Sequence, residues 1–248
     1  AEVVDKWGFG SGVSLFIAAG VSAEIFIRAF SPLNSLGQFA FGTGQPPVGA
    51  ILVFFTSLLA GAPREALIAA VAVLATVVVF VISVYAQAMK VEIPLSYGRV
   101  RGFGVRWPLN FLYASNIPVI LIAALLANLQ LAATFLQTRG IVSAITDNSI
   151  IAWISGPPIV INLLTGSFAG MDVVRALFYV LILAVGSVVF SIFWVKTAGM
   201  DAASQAKQIR AAGLSIAGFR TDQRILEKVL SRYILPLTVM GGLFVGII

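Results

Sequence analysis

The feature that most constrains this chain is a set of long apolar runs without formal charge. Ala66 to Met89 contains no Asp, Glu, Lys or Arg and is closed by Arg64 and Glu65 on one side and Lys90 on the other. Leu109 to Thr138 and Ala176 to Val195 are likewise uncharged. The hydrocarbon core of a bilayer is about 30 Å thick and each helical residue rises about 1.5 Å, so roughly 20 such residues cross it. Pro118 places the start of the second helix around Ser115 to Pro118, and Trp194 with Lys196 anchors the end of the third at the interface. Gly12 to Phe30 is apolar except for Glu24 and Arg28, which are four apart and so share a helix face as an ion pair. Tyr233 to Ile248 begins a fifth span. Composition agrees, because 10% of the 248 residues are charged and 59% hydrophobic, against about 25% charged in soluble domains.

Two further apolar stretches make poor spans. Ser31 to Pro63 is broken by Pro32, Gly37, Gly42, Gly44, Pro46, Pro47 and Gly49, which leaves only Val48 to Ala60 for a short re-entrant or interfacial helix. Ile141 to Gly170 holds Asp147 and the breaker run Gly156-Pro157-Pro158. Charge placement fixes the parity of crossings. Lys90 to Trp107 carries four basic residues against Glu92, a net +3, and Lys196 to Arg232 carries seven against three acidic residues, a net +4. The positive-inside tendency puts both in the cytoplasm, so an even number of spans separates them. The expected division is 1–89 with two spans and an external loop, 90–108 as a basic cytosolic loop, and 109–195 with two more spans. Then come a long basic loop over 196–232 and the start of a span over 233–248. Starting in a loop and ending within a helix reads as one piece of a larger assembly.

With no Cys and no His, the chain has no disulfide, no zinc site of the usual kind and no Ser-His or Cys-His nucleophile pair. No carboxylate pair lies inside the spans, so an enzyme is not expected, nor a cofactor. Gly8-Phe9-Gly10-Ser11-Gly12 lacks the strand before it and the Lys after it that a phosphate-binding loop needs; glycines opening a membrane helix serve close packing. The basic loops carry more information. Many such loops only fix topology. This second one is 37 residues long, however, and Ser204 to Ala212 reads as a short helix within it. Exposed guanidinium groups on two loops of one side suit phosphates, either of RNA in a large particle or of anionic lipid.

Several motifs then fall in a familiar order. They are Trp7-Gly8-Phe9-Gly10-Ser11-Gly12-Val13-Ser14-Leu15-Phe16-Ile17, Val91-Glu92-Ile93-Pro94-Leu95 with Arg99-Val100-Arg101-Gly102, and Ser115-Asn116-Ile117-Pro118-Val119-Ile120. Ala127-Asn128-Leu129-Gln130-Leu131, Phe193-Trp194-Val195-Lys196 and Gly218-Phe219-Arg220 follow. Together they resemble SecY, the large subunit of the Sec protein-conducting channel, in its archaeal form. The resemblance implies an all-α, polytopic helical membrane fold. Of ten helices in two pseudo-symmetric halves, this chain would supply the fifth through the start of the ninth, without the plug.

The resemblance also implies roles. Val13, Ile17 and Ile120 match the apolar pore ring, where branched aliphatic side chains close around an extended polypeptide and offer ions no ligands. Positions 13 and 17 share a helix face. Without the resemblance, these read first as ordinary core residues. Asn128 matches a polar position at the lateral gate, although an interhelical Asn also serves as packing glue. Arg99, Arg101 and Arg220 match loop arginines that dock the ribosome. The implied function is passive conduction of unfolded polypeptide across, and laterally into, the plasma membrane. Implied partners are SecE-like and Sec beta-like small subunits, the ribosome, nascent polypeptide and signal sequences, the remaining SecY helices and lipid. Two other readings stay open at this point: a small-solute secondary transporter, for which Glu24, Arg28 and the Pro118 break are the hints, and a structural membrane scaffold.

Overall fold

A computed structural model describes residues 12–34, 36–40, 45–97, 104–114, 116–138, 153–215 and 223–248. The helices are α1 (Gly12–Phe30), α2 (Ala50–Leu59), α3 (Pro63–Ala88), α4 (Ile117–Thr138), α5 (Ile159–Thr165), α6 (Gly170–Thr197), α7 (Ala202–Ala211) and α8 (Gln223–Ile247). Strands β1 (Lys90–Tyr97) and β2 (Gly104–Asn110) separate α3 from α4, and β3 (Leu214–Ser215) follows α7. The chain divides into two compact units, Ala1–Phe80 with Val160–Gly166, and Val81–Ile159 with Ser167–Ile248.

Among the described residues, four helices are long and apolar enough to cross a membrane: α3, α4 as far as Leu136, α6 running on through its turn to Ala211, and α8 from Arg224. Their bounds follow the charge-free runs. Residues at either end of α3 are charged, and α4 opens with Pro118 in its first turn, where the missing N–H costs nothing. In α1, Arg28 Nε lies 2.7 Å from Glu24 Oε1, so the two charges of that helix neutralise each other along one face. The short helix expected over 48–60 is α2, and α5 has only seven residues, too few to span.

The second unit contains an element the hydropathy pattern hides. Strands β1 and β2 form an antiparallel hairpin in register from Lys90↔Asn110 to Ser96↔Gly104. Strand β3 joins the other edge of β1 through Ser96↔Ser215 and Tyr97↔Leu214. The helical class therefore holds, with a small three-stranded sheet built into its basic connections. One face of the sheet is buried: Ile93, Leu95 and Leu109 alternate with exposed Glu92, Pro94 and Pro108. Its prolines occupy places where no ladder bond is lost. Pro108 is on edge strand β2, and Pro94 lies in the part of β1 that β3 leaves uncovered.

A single buried cluster binds this sheet to α6, α7 and the first half of α8. It includes Ile93, Leu95, Leu109, Tyr113, Val195, Ile209, Leu214, Leu226, Leu230, Ile234 and Leu237. Residues 226, 230, 234 and 237 recur at helical spacing, so the charged start of α8 is an amphipathic helix lying on the sheet. That is why α8 starts at Gln223, ten residues ahead of Tyr233. Further along α8, the backbone carbonyl of Phe111 sits 2.8 Å from where a Cβ on Gly241 would stand. The Phe111 and Phe244 rings meet edge to face at 5.5 Å.

Beyond that level α6 and α8 pack through small residues. A Cβ at Gly242 would lie 2.5 Å from Ser191 Oγ, and one at Gly246 would lie 2.8 Å from Ala184 Cα. Gly242 and Gly246 form the Gly-x-x-x-Gly spacing that lets membrane helices approach closely. Ile122 of α4 fits the notch at Gly186 of α6, whose Cβ would stand 2.6 Å from Ile122 Cδ1. By contrast, only 6% of the apolar window of α3 is buried, against 39% for α8.

Candidate functional site

The basic connections are assembled into one body rather than left as two separate loops. The turn between α6 and α7 is held by Tyr113, whose hydroxyl donates to the Met200 carbonyl at 2.6 Å. Burial, reinforced by the nearby Asp201 charge, pushes the Tyr113 phenol up to about 12, so it is a proton donor throughout the physiological range. The Asp201 carboxyl, at the entry to α7, is held below its ordinary range chiefly by the Ser204 hydroxyl. Across the hairpin, Arg106 Nη1 meets Glu92 Oε2 at 2.9 Å on the exposed face. Arg99 and Arg101 fall in 98–103 and Arg220 in 216–222, outside the described residues. The strands that lead into those segments are paired: Tyr97, which precedes one, lies opposite Leu214, and Ser215, which precedes the other, lies opposite Ser96.

On the helices, two of the three residues expected in a pore ring, Ile17 and Ile120, are not core residues of this chain. Ile17 is 41% exposed on α1 and Ile120 is 46% exposed on α4. Val13 belongs to the first turn of α1. Asn128 on α4 donates from Nδ2 to the Ala124 carbonyl at 2.9 Å, a bond within its own helix. It borders a shallow groove of about 520 Å³ lined also by Leu131, Ala132, Thr134 and Phe135. Two positions later, Gln130 reaches off the helix, and its Nε2 donates to the Ile154 carbonyl at 3.0 Å. Trp153 stacks edge to face on Phe178 of α6 at 5.3 Å. Gln130 thereby ties the backbone at Ile154 to α4, a role invisible in the motif that contains it.

These features are exposed aliphatic side chains on α1 and on α4 and, within the second unit, a small sheet packed on α6, α7 and α8. The family model described as SecY matches residues 1–248. The chain belongs to the SecY family. Among curated relatives, the protein translocase subunit SecY of Methanocaldococcus jannaschii is 39% identical over 251 residues, covering 99% of this chain and 52% of that protein. The SecY subunit of Pyrococcus furiosus is 44% identical over 258 residues, covering all of this chain and 54% of that one. The chain thus spans about half the length of the SecY relatives it matches. A solved structure described as that of a protein-conducting channel is similar with a TM-score of 0.72 at 39% identity, over 99% of this chain and 53% of its own. Another, concerned with how the SecY plug domain stabilises the closed state, gives 0.71 at 39% identity, over 99% and 54%. The archaeal, helical and membrane character expected from the motifs is that of these SecY proteins.

Proposed function

We propose that this chain is a channel-forming part of a SecY-type translocon, conducting unfolded polypeptide across the plasma membrane and releasing signal sequences sideways into lipid. The observation that carries this reading is the match along nearly the whole chain to half of a protein-conducting channel, at 39% identity and a TM-score of 0.72. Val13, Ile17 and Ile120 act as members of the apolar ring. The exposure of Ile17 and Ile120 supports that role, because a residue that seals a pore cannot be spent in the core of its own subunit. Asn128 acts at the lateral gate, beside an apolar groove suited to a signal-sequence side chain. Arg99, Arg101 and Arg220 dock the ribosome. Support for a joint surface comes from the pairing of Tyr97 with Leu214, which brings the two connections into one sheet. SecE-like and Sec beta-like subunits and the remaining SecY helices complete the channel and cover the bare face of α3.

The test is a photoreactive side chain at Ile120 in the assembled channel, engaged by a ribosome carrying a stalled secretory chain. Adducts between position 120 and the nascent chain are expected, with none from Phe80 on α3. Adducts absent at 120 but present at Phe80 would overturn the pore assignment.

A further inference from the structure

Glu24 and Arg28 are the only charged residues between Lys6 and Arg64. Both lie on α1, where Arg28 Nε meets Glu24 Oε1 at 2.7 Å while the side chains stay 75% exposed at Arg28 and 57% exposed at Glu24. Exposed ion pairs one helical turn apart add little to stability. Folding of α1 therefore does not account for two charges in an otherwise apolar helix.

Their place on the helix is specific. Positions 13, 17, 20, 24 and 28 recur at intervals of four, three, four and four residues, so Glu24 and Arg28 share the face of α1 that carries Val13 and Ile17. Between Ile17 and the pair this face is small and open, because nothing lies within 4 Å of where a Cβ on Gly20 would stand. The opposite face is apolar, with Leu15 52% and Phe26 67% exposed. At about 1.5 Å per residue, Glu24 stands roughly 10.5 Å and Arg28 roughly 16.5 Å beyond Ile17 along the axis.

We infer that the Glu24–Arg28 pair lines the polypeptide path beyond the apolar ring, where it meets charged side chains of the passing chain in water. The inference rests on the channel reading above and adds an element of substrate selectivity to it. With Ile17 near mid-bilayer, Glu24 falls within a hydrocarbon half-layer about 15 Å deep, where a carboxylate is costly against acyl chains and is accommodated facing water. Paired, the two residues present no net charge, so the passage favours neither basic nor acidic segments. Removing either charge leaves the other alone on the wall. A unit charge about 8 Å from a passing charge in water changes its energy by roughly RT, a change of about two-fold in rate.

The chain has no cysteine, so single cysteines are simple to place. Glu24→Cys, Ile17→Cys and Phe26→Cys go one at a time into the complete assembled channel, engaged by a ribosome whose stalled secretory chain carries one cysteine, and disulfide adducts are scored. Adducts are expected at 17 and 24 and not at 26. An adduct at 17 without one at 24, or equal adducts at 24 and 26, would overturn the inference and leave the channel reading standing; adducts at neither 17 nor 24 would overturn both. The second readout is the rate at which secretory chains bearing a lysine run or a glutamate run enter vesicles, taken as a lysine-to-glutamate ratio. Glu24→Gln, which leaves Arg28 alone, should lower the ratio about two-fold, and Arg28→Gln should raise it by a similar factor. The exchange of Glu24→Arg with Arg28→Glu should return it to the parent's value. A ratio unchanged in both single variants, or shifted the same way in both, would overturn the selectivity role.

Discussion

The seam between α6 and α8 makes a prediction whose sign runs against helix propensity. Replacing Gly242 and Gly246 together by Ala would gain about 2 kcal/mol if only the intrinsic preference for Ala in a helix mattered, at roughly 1 kcal/mol each. Here the new methyl carbons would stand 2.5 Å from Ser191 Oγ and 2.8 Å from Ala184 Cα. Carbon contacts are optimal near 3.5–4.0 Å, so the helices must separate by about 0.7–1 Å, and a gap of that size forfeits a quarter to a half of the dispersion energy of the contacts it opens. The contact at Gly246 is with backbone, which cannot rotate away. Overpacking of this kind costs about 1–3 kcal/mol per site, which leaves the double variant less stable by about 2 kcal/mol. In a protein of this size that lowers Tm by about 4–8 °C. Gly20→Ala in α1 is the control, because nothing lies within 4 Å of its Cβ position and propensity acts alone. Heating the assembled protein in detergent and following the folded fraction by size exclusion with tryptophan fluorescence reads both. A double variant as stable as the parent, or more stable, would refute the close-packed seam.

Ser187 and Ser191 are fully buried in that seam and their hydroxyls lack hydrogen-bond partners. Ser187→Ala should therefore be neutral or stabilising by about 1 kcal/mol in the same heating series, since it removes an unsatisfied polar atom; clear destabilisation would mean that the hydroxyl is bonded. Tyr113→Phe removes the bond to the Met200 carbonyl and should cost about 1 kcal/mol near neutral pH. Because burial raises the folded-state value to about 12 from an ordinary 10, the native phenol's contribution is complete below pH 10 and is lost as the pH rises through 12. The parent should lose stability over that window more steeply than Tyr113→Phe, and parallel alkaline profiles would contradict the burial argument. Arg101→Glu with Arg220→Glu should weaken cosedimentation with ribosomes at moderate salt while leaving Tm unchanged, and undiminished cosedimentation would remove these residues from the docking surface.

The membrane helices were legible because one physical rule, the absence of charge over a bilayer-length run, fixes them almost alone. The expected starts near Ser115 to Pro118 and the observed α4 from Ile117 agree for that reason. The Glu24–Arg28 pair followed from spacing in the same way. Strands β1 and β2 were missed because Pro94, Pro108 and four basic residues read as a loop, although Val91, Ile93 and Leu95 already alternate with Glu92 and Pro94. The start of α8 was missed for a related reason: Arg224, Lys228 and Arg232 mask a buried stripe at 226, 230 and 234 that only helical spacing reveals. Of the candidate sites, family motifs identified residues while geometry showed their surroundings. Ile17 and Ile120 proved exposed, Asn128 bonded within its own helix, and Gln130, two positions on in the same motif, turned out to make the tertiary contact.

The two-residue pairing of β3 with β1 has a mechanical consequence. Tyr97 and Leu214 are far apart along the chain, and the cluster beneath them also takes in Val195, Leu230 and Tyr113. A load applied to either basic connection is therefore shared among the ends of α3, α4, α6 and α8 instead of bending one of them. The sheet acts as a yoke, tying these four helix ends to one another.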